Sequence, residues 1–152
     1  MITRVTRGDL DDLLPLMRGY CDFYEVAPSD AALRALSLNL LANPDTAGVQ
    51  LIARADGADA AAIGFATLYW SFSTLTAGAI GVMNDLYVDP GARSSGVGAA
   101  LIEACEAECD AHGVTVMEWE TAPDNARAQA LYDRFDAERS EWVAYTLAVR
   151  RR

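Results

Sequence analysis

The sequence predicts one mixed α/β domain, and three observations carry that prediction. A length of 152 residues is that of one ordinary domain, long enough to bury a core and too short for separate cofactor and substrate domains. Hydrophobic residues make up 52% and charged residues 22%, which is a globular composition, neither disordered nor fibrous. The apolar periodicity then changes along the chain, from helical spacing to alternating strand-like runs and on to a strand-helix-strand pattern. There is no internal repeat, low-complexity tract or linker, so residues 1–152 are read as a single domain.

Residues 2–5 read as a short strand. Residues 9–19 read as a helix with Asp9, Asp11 and Asp12 in its first turn and Leu10, Leu13, Leu14 and Met17 as its stripe; Pro15 warns of a kink. Residues 20–28 read as a loop crowded with aromatics and acids. Ser29 is placed as the cap of a second helix carrying Leu33, Leu36, Leu40 and Leu41, stopped by Asn43-Pro44. Residues 49–54 and 60–70 are strands separated by Asp56-Gly57, a hairpin signal, and residues 80–88 are a third strand. Residues 95–111 form a long helix with Val97, Ala100, Leu101, Ala104 and Cys105 inward and Gly113 just past its end. Residues 114–121 read as a strand. Residues 124–135 read as a helix with Ala126, Ala130, Leu131 and Phe135 inward, and residues 142–149 as a last strand before three arginines.

The charge narrows the function classes. The net charge is −10, from 22 acids against 12 bases, and every base is Arg. Such a chain is repelled by phosphate backbones and anionic lipid, which argues against nucleic-acid or membrane partners and welcomes a cationic one. The missing lysines are better explained by genomic base composition than by function. Residues 1–5 carry no apolar leader region and no stretch reaches the length of a membrane span. With three cysteines, an odd number, the expectation is a reducing cytoplasm and no disulfide framework. Cys105, Cys109 and His112 fall on one helix face, but small core thiols are the simpler reading, and no metal is expected.

The most informative segment joins the strand ending at Val88 to the helix beginning near Ser95. In it Arg93-x-x-Gly96-x-Gly98 opens the helix. Glycines let a ligand approach the backbone, and the free N–H groups of a helix's first turn favour an anion. Ser94 and Ser95 add hydroxyls and Arg93 adds a fork of donors, so a diphosphate is the natural occupant; a helix start that merely packs closely is the plainer alternative. A P-loop is rejected because Ala99-Ala100 stand where Lys-Ser/Thr is needed. A Rossmann loop is disfavoured because Gly96 lies well beyond the strand end and Leu101 takes the third glycine's place, although Glu118 and Glu120 lie where a ribose-binding acid would.

Further on come Glu118-x-Glu120, Asn125, and Ala128-x-x-Leu131-Tyr132 on a helix. Together with Arg93-x-x-Gly96-x-Gly98 this pattern resembles the GCN5-related N-acetyltransferase (GNAT) family over essentially the whole chain, most strongly over residues 84–135. Residues 20–28 and the Trp119-x-Thr121 spelling look closest to the Hpa2-like, diamine and polyamine acetyltransferase branch, although Asn84 stands where polyamine-type enzymes usually have Glu. The resemblance implies a mostly antiparallel twisted sheet with one splayed parallel strand pair and about four flanking helices. It also implies acetyl-CoA as co-substrate and acetyl transfer to a primary amine, small or on a protein, by direct attack in a ternary complex.

Residue by residue, the resemblance implies that Arg93, Ser94, Ser95, Gly96, Val97, Gly98 and Ala99 cradle the pyrophosphate; a polyanion in so acidic a chain needs a local positive site, for which Arg93, the helix N-terminus and Arg127 are the candidates. Leu86, Tyr87 and Val88 would pair their backbone with the pantetheine arm, and Asn125 would contact that arm. Tyr132 would protonate the leaving thiolate; its plainer reading is a core aromatic beside Leu131. The base is ranked Glu120, then Asp85 through a water, then Glu118, against solvated carboxylates with no such role. Tyr20, Asp22, Tyr24, Glu25, Trp70 and Phe72, with Glu118, are candidate walls for the acceptor, since acids and aromatics together suit an ammonium group. Dimers are common in the family. A non-catalytic acyl-CoA-binding module on the same fold is the alternative.

Overall fold

The computed structural model describes residues 1–57 and 60–149. The chain divides into two compact units, Met1–Glu120 and Thr121–Arg152.

The first unit is built on a five-stranded sheet ordered β1 (Ile2–Arg4), β2 (Gly48–Arg54), β3 (Ala62–Ser73), β4 (Gly78–Val88) and β5 (Met117–Glu118). The first four strands are antiparallel neighbours, and β4 and β5 run parallel. Residues 58 and 59 of the expected β2–β3 hairpin lie outside the described residues.

Strand parity decides which helix covers which side chain. Ile52 and Phe65 are register partners and pack with Leu10, Leu13 and Met17 of α1 (Leu10–Phe23) and Leu33 of α2 (Asp30–Ala42). The next residues along the strands face the other way, onto α3 (Val97–Ala111). A Cβ on Gly64 would stand 3.3 Å from Leu101, and one on Gly81 would stand 2.5 Å from Cys109. Leu101, Ile102 and Cys105 are fully buried there, at two per cent exposure or less. A bidentate pair from Arg4 to Glu108 ties β1 to α3.

The local signals act largely as read. The Ser29 hydroxyl accepts the Ala32 N–H at 3.2 Å, and α3 stops at Gly113. α1 differs: it runs through Pro15 to Phe23, so Tyr20 to Phe23 are helical where a loop is expected. Pro15 lies on the exposed side of α1, so the carbonyl that loses its helical donor faces solvent, while Met17 and Cys21 continue the buried stripe beyond it. β5 keeps only two laddered residues of the eight expected.

The second unit holds α4 (Ala126–Tyr132), capped by the Asn125 side chain, which accepts the Ala128 N–H at 3.2 Å. Its expected inner face is only partly realised: Ala126 and Ala130 are exposed, and Leu131 and Phe135 are half-buried. Arg139 holds Asp133 at 2.6 Å. The expected last strand is absent. Residues 142–149 form no ladder among the described residues, and Trp142, Val143, Tyr145, Leu147 and Val149 are exposed. Without a partner backbone or buried apolar area, nothing offsets the entropy of holding that segment in a sheet.

Candidate active site

β4 leads straight into the glycine loop. The Asp89 N–H donates to Ile63 O at 2.9 Å, fixing the strand end, and Pro90–Ala92 makes one tight turn closed by the Asp89 carboxylate on Gly91 N at 2.8 Å. Ser94 and Gly96 both have left-handed backbones, with φ of 65° and 89°. A Cβ on Gly96 would meet nothing within 4 Å, so a ligand has open access to this backbone. The first intrahelical bond of α3 runs from Ala100 N to Gly96 O at 3.0 Å. The N–H groups of Val97, Gly98 and Ala99 therefore have no helical carbonyl to serve, and they present an anion-binding end.

Arg93 is fixed at that end. Its Nε donates to Val88 O at 2.9 Å, and its guanidinium lies 5.9 Å over the Tyr87 ring. Among the described residues it makes no salt bridge, so its charge stays available to an anion. The Ser95 hydroxyl donates to Ala92 O at 2.6 Å and braces the loop.

Beside this loop the sheet opens. The parallel ladder pairs only Gly81 with Met117 and Val82 with Glu118, supported by Gly81 N donating to Val116 O at 2.9 Å. β4 then runs on to Val88 with no β5 partner among the described residues, so Leu86, Tyr87 and Val88 border the opening. This geometry removes the Rossmann alternative, which needs a parallel sheet; here β4 is antiparallel to β3.

A polar row crosses the sheet just before that opening. Gln50, Thr67 and Asp85 are successive register partners on β2, β3 and β4, and all three are buried, at 4%, 0% and 8% exposure. Gln50 Nε2 donates to Thr67 Oγ1 at 3.1 Å. Burial pushes the Asp85 carboxyl above the usual range, and the Thr67 hydroxyl, the Asn84 amide (2.9 Å) and the Tyr20 hydroxyl partly hold it down. The register slips between Thr67 and Leu68, whose partners are Asp85 and Met83, so Asn84 is the extra residue of a β-bulge. The Tyr20 hydroxyl reaches the freed Asn84 carbonyl at 3.3 Å. Neither Gln50 nor Thr67 is among the expected site residues. The signal was a Gln inside the apolar run Val49-Gln50-Leu51-Ile52.

The other carboxylates differ from Asp85. Glu118 and Glu120 are exposed. Glu118 ends a second row, Tyr69–Val82–Glu118, one step along the same face, and burial raises the Tyr69 phenol to about 12. Of the acceptor candidates, Tyr20 packs edge-on against Phe65 and Tyr24, with centroids 6.0 and 5.0 Å away. Asp22, Tyr24 and Glu25 are exposed beside it. Trp70 does not join them. It sits on the α3 side, its ring stacked on His112 at 3.9 Å and its Nε1 donating to Pro44 O at 2.7 Å. Phe72 is exposed near the far end of β3. His112 is thus engaged with Trp70, while Cys105 and Cys109 are buried. In the second unit, the Asn125 oxygen is spent on the α4 cap, and Tyr132, half-buried, closes that helix.

Comparison with known proteins gives a consistent picture. The family model described as Acetyltransferase (GNAT) family matches residues 13–137. The uncharacterized N-acetyltransferase YhfO of Bacillus subtilis (strain 168) is 31% identical over 149 residues, 97% of each chain. The D-amino-acid N-acetyltransferase HPA3 of Saccharomyces cerevisiae is 40% identical over 73 residues, 48% of this chain and 45% of its own. A crystal structure of a probable acetyltransferase superposes with a TM-score of 0.84 at 29% identity, covering 100% of this chain and 99% of the other. An aminoglycoside acetyltransferase, AAC(6')-Iy, in complex with a CoA-containing bisubstrate analogue shares the fold, with a TM-score of 0.80 at 24% identity over 98% and 97% of the two chains.

Proposed function

We propose a reaction on the premise of membership: this chain belongs to the Acetyltransferase (GNAT) family and is an acyltransferase of that family. The reaction is transfer of the acetyl group of acetyl-CoA to a primary amine, in a complex holding both. The observation that carries this reading is the run from β4 into α3. It sets an open strand edge at residues 86–88 directly before three unpaired helix-start N–H groups and Arg93. A thioester on a long arm that ends in a pyrophosphate needs both features in that order.

The chemistry assigns roles. The amine nitrogen attacks the thioester carbonyl carbon, the carbon–sulfur bond breaks, and the departing thiolate takes a proton from the Tyr132 phenol, which recovers one from the new amide nitrogen. The ammonium proton of the incoming amine goes to Asp85, directly or through a water. Asp85 is preferred to Glu120 because it alone of the candidate carboxylates is buried, and that burial raises its carboxyl above the ordinary value. Glu118 and the acids of the segment after Tyr20 draw the cation in. The resemblance to aminoglycoside and D-amino-acid enzymes supports an amine acceptor without choosing one.

A free-thiol release assay with acetyl-CoA across a panel of diamines, amino sugars, D-amino acids and peptide N-termini tests this reading. CoA release that depends on the amine is expected. Acetyl-CoA binding with no release on any amine would instead make the chain an acyl-CoA-binding module.

A further inference from the structure

The row Gln50–Thr67–Asp85 contains one feature the proposed reaction leaves unused. Gln50 Oε1 is fully buried and has no hydrogen-bond partner, although the side chain's other polar atom is placed on Thr67. An orphaned buried acceptor is costly and calls for a reason. The three side chains stand directly across from one another on adjacent strands, which brings each within reach of its neighbour in the row; Gln50 Nε2 also lies 3.9 Å from the Met17 sulfur.

We propose that Gln50 and Thr67 are positioning residues for Asp85, forming a hydrogen-bond chain whose direction reverses when Asp85 takes up a proton. With Asp85 ionised, the Gln50 amide donates to Thr67 Oγ1, and the single Thr67 proton is left to point at the carboxylate. With Asp85 protonated, its own O–H donates to Thr67 Oγ1. The Thr67 proton then turns back to Gln50, whose amide rotates to offer the oxygen that is orphaned in the first arrangement. Each state satisfies the hydroxyl, and the amide supplies either a donor or an acceptor without moving the strand. An apolar residue at position 50 would support neither state, which accounts for a Gln in an otherwise apolar strand.

Other groups face Asp85 as well, and the Asn84 amide and the Tyr20 hydroxyl donate to the carboxylate alongside Thr67. Tyr20 and Cys21 approach from α1, Tyr69 from β3 and Asn84 from β4 itself. The Cys21 thiol is pushed up by its burial and Tyr69 titrates at about 12, so both stay neutral while Asp85 changes charge. No salt bridge among the described residues involves Asp85.

The catalytic meaning of the chain rests on Asp85 as base, but the chain itself is tested without activity. The Asp85 carboxyl carbon is followed by NMR across pH in the full chain and identified by its loss in Asp85→Asn. Thr67→Val should move its titration to higher pH, Gln50→Met should move it the same way by less, and Thr67→Ser should leave it in place. An unmoved titration in Thr67→Val overturns the proposal. If that variant does not fold, an unmoved titration in Gln50→Met overturns it. The acidic limb of kcat/KM is measured on the same variants and should travel with the carbon signal, with kcat in Thr67→Val reduced on the order of tenfold, as for loss of one hydrogen bond to a charged group. A carbon signal that shifts while the limb stays still would leave the chain standing and remove Asp85 as the base.

Discussion

The imidazole of His112 lies flat on the indole of Trp70, with ring centroids 3.9 Å apart and planes 3° from parallel. This pair fastens the end of α3 to the middle of β3, and the Trp70 N–H extends the link to Pro44. His112→Ala should therefore lower stability by about 1 kcal/mol, the usual worth of an aromatic pair beyond area burial. Urea unfolding checks this, and kcat should be unchanged because the pair sits on the α3 side of the sheet, away from Asp85.

Chemical labelling should find the native thiols silent. Burial raises Cys105 to about 12 and Cys109 to about 11, and Cys21 is raised by the same cause. The thiolate is the reactive form, so a disulfide reagent at neutral pH should react with all three cysteines only after denaturant is added. Fast native labelling of any one would show that its helix opens readily.

Two glycines in the sheet should resist substitution by Ala. At Gly48 the backbone is left-handed at φ 139°, and a Cβ would stand 2.1 Å from Leu68 O. At Gly81 it would stand 2.5 Å from the Cys109 sulfur. Gly48→Ala should unfold the chain or cost several kcal/mol, since backbone cannot yield. Gly81→Ala should cost less, because Cys109 can shift, and Gly81→Ala with Cys109→Ala should recover part of the loss. Thermal melts of the single and double variants decide.

Acid should loosen the α1 start. The Thr6 hydroxyl, then Arg54, then the Thr6 N–H hold the Asp9 carboxyl below its ordinary value. A carboxyl lowered on folding adds stability above its unfolded value, and that stability is lost as pH falls through the folded one. The melting temperature of the native chain should thus drop on acidification below the usual carboxylate range. Asp9→Asn should be less stable at neutral pH and show a shallower acid limb.

Turnover should depend on Tyr132 more than binding does. Tyr132→Phe keeps the ring at the end of α4 and removes the phenolic hydroxyl. The expected result is a kcat lower by about 100-fold, the lower range for a general acid, with the Kd for CoA nearly unchanged. Unchanged turnover would take Tyr132 out of the mechanism.

Much of this was written in the chain. Helical spacing, the Ser29 cap and the Gly96-x-Gly98 helix start set out most of the elements and the anion-binding end. What escaped depended on neighbours in space. Tyr20 to Phe23 join α1 because Cys21 continues its buried stripe past the proline. Trp70 differs from its expected place through strand parity, which puts it with Gly64 and Leu68 on the α3 side rather than with Thr67. The bulge at Asn84 follows from the register of β4 on β3, and no local residue preference marks it.

Residues 142–149, Trp-Val-Ala-Tyr-Thr-Leu-Ala-Val, are an uncharged, proline-free window rich in β-formers whose large side chains stand in water. Such a window is the colloidal weak point of a protein, ready to stack on copies of itself. Glu141 on one side and three arginines on the other act as gatekeepers in a chain whose other charges are mostly acidic. The four charged residues at the boundaries of this one short segment therefore bear on the solubility of the concentrated protein alongside its large net charge.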